Sequence, residues 1–267
     1  MAYGIAIAEV GEVDLYRFGR SNQIFRGPKP DLGGPYFAFV GGSEPFGKFV
    51  LEPYPKLVEN RVGITCVNLG TPGAGPGFFL KDPVILETCS QATKCIIQVM
   101  DVAPLSNRMY EVYPRRNMRL RNVSAVLKSL YPQLDFSAFR YVSAMVRKLK
   151  EVDADAYKVV LAEQRSAWLA RMLVLLQDIE TTKTLLWIQP EGGKGLDQPV
   201  TQEMIDVLAS HVDNVVKVSV AVPESGGRRG LTGLRKDTGW MTREVHAEIA
   251  AVLSADLQAL QSEKRPA

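Results

Sequence analysis

The stretch Tyr36-Phe-Ala-Phe-Val40, followed by Gly41-Gly-Ser-Glu-Pro-Phe-Gly-Lys48, decides the fold. Five consecutive apolar residues that run into paired glycines are typical of a strand that is buried on both faces and ends in a tight turn. Similar runs occur later in the chain, at Gly63–Val67, Lys94–Met100, Thr184–Gln189 and Asn214–Val220. Segments with helical periodicity fill the gaps between these runs. The pattern predicts a three-layer α/β fold with a doubly wound, five-stranded parallel sheet.

The predicted helices cover residues 48–60, 82–91, 135–150 and 153–179, and a last helix begins near Trp240–Thr242. The long gap between the third and fourth strands leaves room for extra helices beyond one crossover. We therefore expect a single domain over residues 1–267. Residues 1–35 are rich in Gly and Pro and are expected to wrap around that domain as loops and short edge strands.

Composition excludes several classes of protein. The chain has 267 residues, with 32 Lys+Arg against 29 Asp+Glu, and a net charge of +3 does not suggest a nucleic-acid partner. No apolar run is long enough for a membrane span, and the first residues lack the features of a signal peptide, so a cytoplasmic protein is expected. Three cysteines without a CxxC pair predict neither a zinc site nor another metal site. The long amphipathic helices between residues 135 and 179 are compatible with a homodimer.

The loop after the first strand admits three interpretations. Gly42, Gly47 and Lys48 have the spacing of a phosphate-binding loop, but Phe49 stands where magnesium coordination needs a Ser or Thr hydroxyl. Alternatively, the glycines allow a sharp strand-to-helix turn that presents Ser43 as a nucleophile, with helix amides behind it that can stabilise an oxyanion. In the third interpretation Ser43 only caps the helix that follows.

Three segments carry a resemblance to one superfamily. They are Gly41-Gly-Ser-Glu-Pro-Phe-Gly47, Asn68-Leu-Gly-Thr-Pro-Gly73 and His246-Ala-Glu-Ile-Ala-Ala-Val-Leu253. In order, spacing and strand context they are similar to the first, second and fifth blocks of the SGNH (GDSL-like) hydrolases. The whole chain, including Phe25-Arg-Gly-Pro28 and Tyr113-Pro-Arg-Arg-Asn117, also resembles a group of bacterial proteins distantly related to that superfamily.

The resemblance implies a flavodoxin-like sheet, and ester hydrolysis or acyl transfer on small esters, lipids or acylated sugars. It makes Ser43 the nucleophile and His246 the general base. The amides of Ser43 and Gly73 are then expected to hold the oxyanion, with Asn107 as a third donor. The expected protein is a serine esterase or O-acyltransferase that needs no cofactor and whose partner is a small-molecule or glycan ester.

The match has three departures. Gly42 stands where the superfamily has Asp. The Gly-x-Asn of the third block is replaced by Asp101-Val-Ala-Pro-Leu-Ser-Asn107, in which the Asn comes late. Arg243 occupies the place, three residues before His246, where an orienting Asp is usual. A missing oxyanion donor or an unoriented His lowers the rate of such an enzyme, so the geometry of these positions decides the mechanism.

Arginines follow the third and fifth predicted strands, and among them we single out Arg115 and Arg116, and Arg228 and Arg229. Guanidinium groups match the geometry of phosphate, sulfate and carboxylate. In an alternative hypothesis, the chain is a non-catalytic protein of the same fold that binds an anionic ligand through these two arginine-rich loops. Arginines that are simply exposed to solvent on the protein surface explain the same residues. A nucleotide- or sulfonucleotide-dependent transferase built on Gly42–Lys48 is a third alternative.

Overall fold

The computed structural model describes residues 5–7, 11–191, 199–221 and 241–263. The strands of these residues are β1 (Ile5–Ile7), β2 (Gly11–Val13), β3 (Leu15–Tyr16), β4 (Phe25–Arg26), β5 (Tyr36–Val40), β6 (Thr65–Asn68), β7 (Lys94–Gln98), β8 (Tyr110–Tyr113), β9 (Arg116–Val123), β10 (Lys183–Pro190) and β11 (Asn214–Val220). The helices are α1 (Ser43–Phe46), α2 (Tyr54–Val62), α3 (Pro76–Phe79), α4 (Pro83–Ser90), α5 (Ala125–Leu130), α6 (Val142–Val152), α7 (Ala154–Asp178), α8 (Gln202–Ala209) and α9 (Arg243–Glu263), and a 3-10 turn spans Phe136–Ala138.

The main sheet has five strands in the order β6–β5–β7–β10–β11, and every neighbouring pair is parallel. This confirms the predicted doubly wound, three-layer α/β fold. The chain runs from β5 to the edge strand β6, then returns past β5 to β7 and continues to the other edge. The reversal places the topological switch point between β5 and β7, where open α/β sheets form their ligand sites.

Successive side chains of the central strands point to opposite faces of the sheet, and a separate layer of helices covers each face. Phe37 and Phe39 of β5 pack into a cluster with residues of α2 and α9. Ala38 and Val40, which point to the opposite face, pack into a larger cluster with residues of α4, α7 and α8. The central strands are thus covered on both faces, which explains their continuous apolar runs.

One predicted helix, residues 48–60, begins too early. The short helix α1 ends at Phe46, and its C-cap Gly47 adopts the left-handed conformation with φ of 63°. Helix α2 begins only at Tyr54, with Pro53 as its N-cap and Pro55 in its first turn. The apolar spacing between residues 48 and 60 suggested one helix, but the glycine and the prolines divide the segment.

The segment between β7 and β10 contains the predicted extra helices and also a hairpin that was not predicted. Strands β8 and β9 pair antiparallel, and α5, α6 and α7 follow them. In β8 the residues alternate, with Tyr110 and Val112 buried and Glu111 and Tyr113 exposed. This alternation covers only four residues, and the arginines of β9 obscure it in the sequence.

The described part of residues 1–35 contains two short antiparallel strand pairs, β1–β2 and β3–β4. Arg26, the last residue of β4, is 6% exposed and donates hydrogen bonds to four carbonyls at the end of α1 and in the loop after it. These carbonyls belong to Phe46, Gly47, Val50 and Leu51. One buried guanidinium therefore connects the N-terminal segment to the loop that follows the first central strand.

The three cysteines, Cys66, Cys89 and Cys95, are buried and form no disulfide. Two of them, Cys89 and Cys95, belong to the larger core cluster. Among the described helices, none combines the length and the apolar character that crossing a bilayer requires.

Candidate functional site

A pocket of about 560 Å³ lies at the switch point. Its lining begins with Gly42, Ser43 and Glu44, directly after β5. The loops after β6 and β7 contribute residues 73–74 and 101–104, and the remaining described lining comes mainly from β9, α6 and α7. The pocket therefore lies beyond the carboxyl ends of the central strands, where this class of fold binds its ligands.

The turn after β5 is held in place by Gln98, the last residue of β7. Gln98 Oε1 accepts a 2.9 Å hydrogen bond from the amide of Gly42. The same oxygen would lie 2.3 Å from a Cβ atom at Gly41, so position 41 accommodates only glycine while Gln98 is in place. The neighbouring loop adds a 3.0 Å hydrogen bond from the amide of Thr71 to the carbonyl of Gly41. These contacts fix the backbone just before Ser43.

The loop after β6 brings Gly73 to the pocket. Gly73 has φ of 69°, and a Cβ atom there would lie 2.0 Å from Cγ of Met118 in β9. Both the backbone conformation and the close approach of Met118 require glycine at this position. The unpredicted hairpin β8–β9 thus forms part of the wall beside the predicted oxyanion glycine.

Ser43 is exposed and lines the pocket together with Gly73. It is the first residue of α1, and Gly42 occupies the N-cap position. The interpretation of Ser43 as a helix cap is therefore wrong. Of the residues predicted from the sequence, the structure brings these two together in one pocket.

The Glu44 carboxyl lies in the same pocket. Burial raises its pKa, and the nearby negative charge of Asp101 raises it further. Contacts with the Gln98 side chain and with the backbone amides of Ser43 and Glu44 itself oppose this rise. Because Gln98 Oε1 already accepts from Gly42, its Nε2 group is the one available to the Glu44 carboxyl.

Asp101, the second carboxyl of the pocket, begins the loop after β7. Desolvation by the surrounding chain raises its pKa, whereas the amides of Ala103 and Val102 and the charge of Lys150 lower it. Two neighbouring carboxyl groups with raised pKa values are typical of sites that transfer protons.

His246, the predicted general base, is 0% exposed. Its Nδ1 accepts a 3.1 Å hydrogen bond from the amide of Tyr54, and its ring stacks on the Tyr54 ring at a centroid distance of 5.8 Å. Its Nε2 has no hydrogen-bond partner among the described residues. The structure therefore does not form the predicted pair with Ser43. Instead, His246 satisfies the first backbone amide of α2, which has no partner within its own helix.

The buried imidazole gives the fold a pH dependence. Burial, together with the positive charge of Arg26, lowers the pKa of His246 from 6.5 to about 4. As the pH falls below 6.5, the unfolded chain takes up this proton before the folded chain does, so protonation favours unfolding. We expect this one residue to reduce the free energy of unfolding by about 3 kcal/mol between pH 7 and pH 4.

Denaturant unfolding at both pH values measures this effect. The wild type should lose more stability on acidification than His246→Gln does. His211→Gln changes the other histidine, which is exposed, and should retain the wild-type dependence. Equal losses in the wild type and in His246→Gln would contradict the prediction.

Asn107, the predicted third oxyanion donor, lies away from the pocket. Its Oδ1 accepts hydrogen bonds from the amides of Met109 (2.8 Å) and Tyr110 (3.2 Å). Its Nδ2 donates to the carbonyl of Leu105 at 3.0 Å. The side chain therefore closes the turn that leads into β8, and the structure does not bring it to Ser43.

Of the other predicted binding residues, those that the structure describes also lie elsewhere. Arg115 and Arg116 are exposed at the turn of the hairpin and are not among the lining residues. Arg228 and Arg229 lie outside the described residues. Lys48 is exposed outside the lining, and its ammonium lies 5.3 Å from the centre of the Phe49 ring. The structure therefore does not join Gly42 and Lys48 in a phosphate cradle.

Comparison with known families adds one finding. The model of a family described as a domain of unknown function, DUF6473, matches residues 1–261. The chain belongs to this family. No curated protein matches the sequence. Every described residue of the pocket lies within the matched range, so the site is part of the DUF6473 domain itself.

In this DUF6473 domain, helix α6 contributes side chains that the sequence analysis missed. Ser143, Arg147 and Lys150 all line the pocket. Their spacing of four and three residues places them on one face of the helix. The spacing was visible in the sequence, but Lys148 makes the segment equally basic on another face. Periodicity alone cannot tell which basic residues meet a pocket.

In the DUF6473 domain, buried residues of helix α7 form hydrogen bonds that hold one of the loops lining the pocket. Gln164 is fully buried and donates a 2.8 Å hydrogen bond to the Tyr110 hydroxyl, which in turn donates to the carbonyl of Ala103 at 2.7 Å. The hydroxyl of Tyr157 donates to Gln164 Oε1 at 3.3 Å. This buried network holds the loop that carries Asp101. Within the described ranges, no group of three or more His, Cys, Asp or Glu side chains is arranged to hold a metal ion.

Proposed function

We propose that the pocket is the active site of an ester hydrolase or acyltransferase in which Ser43 is the nucleophile. The observation that carries this proposal is the placement of Ser43. It is exposed, it begins a helix at the switch point, and it shares the pocket with Gly73 and two partly desolvated carboxyl groups. The resemblance of residues 41–47 and 68–73 to the SGNH hydrolases supports the same assignment.

The Glu44 carboxylate takes the role of general base in this proposal. Its contact with the backbone amide of Ser43 places it beside the nucleophile. Its raised pKa makes it a stronger base than an ordinary carboxylate. His246 is less suited to the role, because its Nδ1 already accepts from Tyr54 and its ring is buried.

The proposed reaction begins when Ser43 Oγ attacks the acyl carbon of the ester and Glu44 accepts the hydroxyl proton. The oxyanion that forms accepts hydrogen bonds from the amides of Ser43 and Gly73. Protonation weakens Glu44 as an acceptor, and this releases the Ser43 amide for the oxyanion. When the intermediate collapses, the alcohol leaves with the proton from Glu44, and Ser43 retains the acyl group. Water or a second alcohol then attacks the acyl-enzyme, with Glu44 again accepting the proton and then returning it to Ser43.

Labelling with a fluorophosphonate probe tests this proposal. We expect the probe to modify Ser43, and mass spectrometry of the labelled peptide identifies the modified residue. We also expect Ser43→Ala to abolish both labelling and ester hydrolysis. Ser143→Ala is the matched control, because Ser143 is a second exposed serine of the same pocket. This control should still be labelled. A folded wild type without label at Ser43, or with the label at Ser143, would overturn the assignment.

A further inference from the structure

We infer that helix α6 binds a carboxylate of the substrate, with Arg147 as the main contact and Ser143 and Lys150 beside it. This inference rests on the proposed ester chemistry at Ser43 and adds the class of substrate. That class is an ester that carries one free carboxylate at the end remote from the bond that is cleaved.

The three side chains form one continuous face of the pocket wall. They lie on the same side of α6 and all contribute to the lining that also includes Ser43. Lys150 is held by a cation–π contact, with its ammonium 5.2 Å from the centre of the Tyr157 ring. Tyr157 is itself 3% exposed and is hydrogen-bonded to Gln164. A positive charge is thereby fixed at the pocket wall.

Arg147 is positioned to bind a ligand. Among the described residues, the carboxylate oxygen nearest to its guanidinium is Oε1 of Glu151, which lies 3.9 Å from Nε. That distance is too long for a hydrogen bond. Its side chain is 72% exposed while lining the pocket, so its planar fork can turn toward a carboxylate in the cavity.

The distribution of charge in the pocket selects a single negative charge. Glu44 and Asp101 lie on the sheet side, and Arg147 and Lys150 lie on α6. Because the charge of Lys150 already acts on Asp101, a carboxylate pairs mainly with Arg147 while the uncharged ester remains beside the two carboxyl groups. A phosphate, with about two negative charges, would be repelled more strongly by Glu44 and Asp101. A volume of about 560 Å³ accommodates a small ester of this kind.

Two esters of equal chain length test the inference. In p-nitrophenyl hemiglutarate a carboxylate stands where p-nitrophenyl valerate has a methyl group. We expect the wild type to prefer the hemiglutarate in kcat/KM by about tenfold. Arg147→Gln should bring this ratio close to one, mainly through KM. Lys148→Gln removes the same charge from the same helix outside the pocket lining and should keep the wild-type ratio.

A binding measurement separates failure of the subsite from failure of the ester chemistry. N-methylglutaramate carries the same carboxylate but has no ester to cleave. If neither ester is hydrolysed, yet this compound raises the Tm of the wild type and of Lys148→Gln but not of Arg147→Gln, the proposed function fails and the subsite stands. The subsite is overturned if the wild-type ratio is near one, if Arg147→Gln keeps the wild-type ratio, or if N-methylglutaramate stabilises Arg147→Gln as much as the wild type. If neither ester is hydrolysed and N-methylglutaramate does not raise the Tm of the wild type, the proposed function and the subsite both fail.

Discussion

Replacement of Glu44 with Gln should lower kcat/KM for an ester by about 10²–10⁴-fold, because the variant lacks the group that accepts the proton of Ser43. The amide keeps the size of the side chain and its capacity to accept from the Ser43 amide. The loss should therefore appear in the chemical step, and the variant should still bind N-methylglutaramate. Steady-state kinetics across pH measures the effect in both proteins.

The same substitution should stabilise the fold at neutral pH. Burial raises the pKa of Glu44, so the folded chain binds the proton more tightly than the unfolded chain does. The contribution of Glu44 to the stability of the wild type is therefore greatest at low pH and decreases as the pH rises through the raised pKa. Glu44→Gln does not ionise and should avoid this decrease. A gain in stability together with a loss of activity is typical of a residue retained for function.

Asp101→Asn is the matched comparison for Glu44→Gln. Asp101 lines the same pocket, but its Oδ1 accepts a 3.1 Å hydrogen bond from the Ala103 amide and so supports its own loop. We expect a smaller decrease in kcat/KM for this variant. If Asp101→Asn loses more activity than Glu44→Gln, the assignment of Glu44 as the base is wrong.

Arg26→Leu should lower the free energy of unfolding by about 3–5 kcal/mol. The substitution removes the buried donor shared by the carbonyls of Phe46, Gly47, Val50 and Leu51. The Gly47 carbonyl keeps a hydrogen bond from the Val50 amide and Leu51 is exposed, but the carbonyls of the buried residues Phe46 and Val50 carry a desolvation cost that leucine does not relieve. Denaturant unfolding measures the change.

Two variants serve as controls for Arg26. Arg20→Leu removes an exposed arginine from the same N-terminal segment and should change stability by less than about 0.5 kcal/mol. Arg26→Lys keeps the charge but offers a single ammonium to the four carbonyls, so we expect an intermediate loss. A loss in Arg26→Leu no larger than in Arg20→Leu would show that the hydrogen bonds contribute little to stability.

The central strands could be predicted from the sequence because burial on both faces leaves an unbroken apolar run. The predicted strand Tyr36–Val40 coincides with β5, and Asn214–Val220 coincides with β11. The hairpin β8–β9 and the start of α2 could not be predicted in the same way. The alternation of buried and exposed residues in β8 covers only four residues. The start of α2 depends on one glycine and two prolines.

Only those site residues that come shortly after a central strand could be predicted from the sequence. Ser43 and Gly73 come shortly after two adjacent parallel strands, β5 and β6, so their proximity follows from the topology. His246 lies on a helix whose packing on α2 depends on long-range contacts, and no local pattern indicates that its ring caps Tyr54. Glu44 and Arg147 resemble solvated residues of helices in the sequence, because their environment arises only when the layers assemble.

The close packing of Gln98 against Gly41 restricts the order in which substitutions can accumulate during evolution. A Cβ atom at position 41 would lie 2.3 Å from Oε1 and 2.8 Å from Cβ of Gln98, and 2.8 Å from Cγ of Pro45, so a shorter residue at position 98 relieves only part of the collision. A shorter residue at position 98 also removes the partner of the Gly42 amide and the contact with Glu44. A lineage that still depends on Glu44 is therefore confined to glycine at position 41, and position 41 can vary only after residues 45 and 98 have both changed.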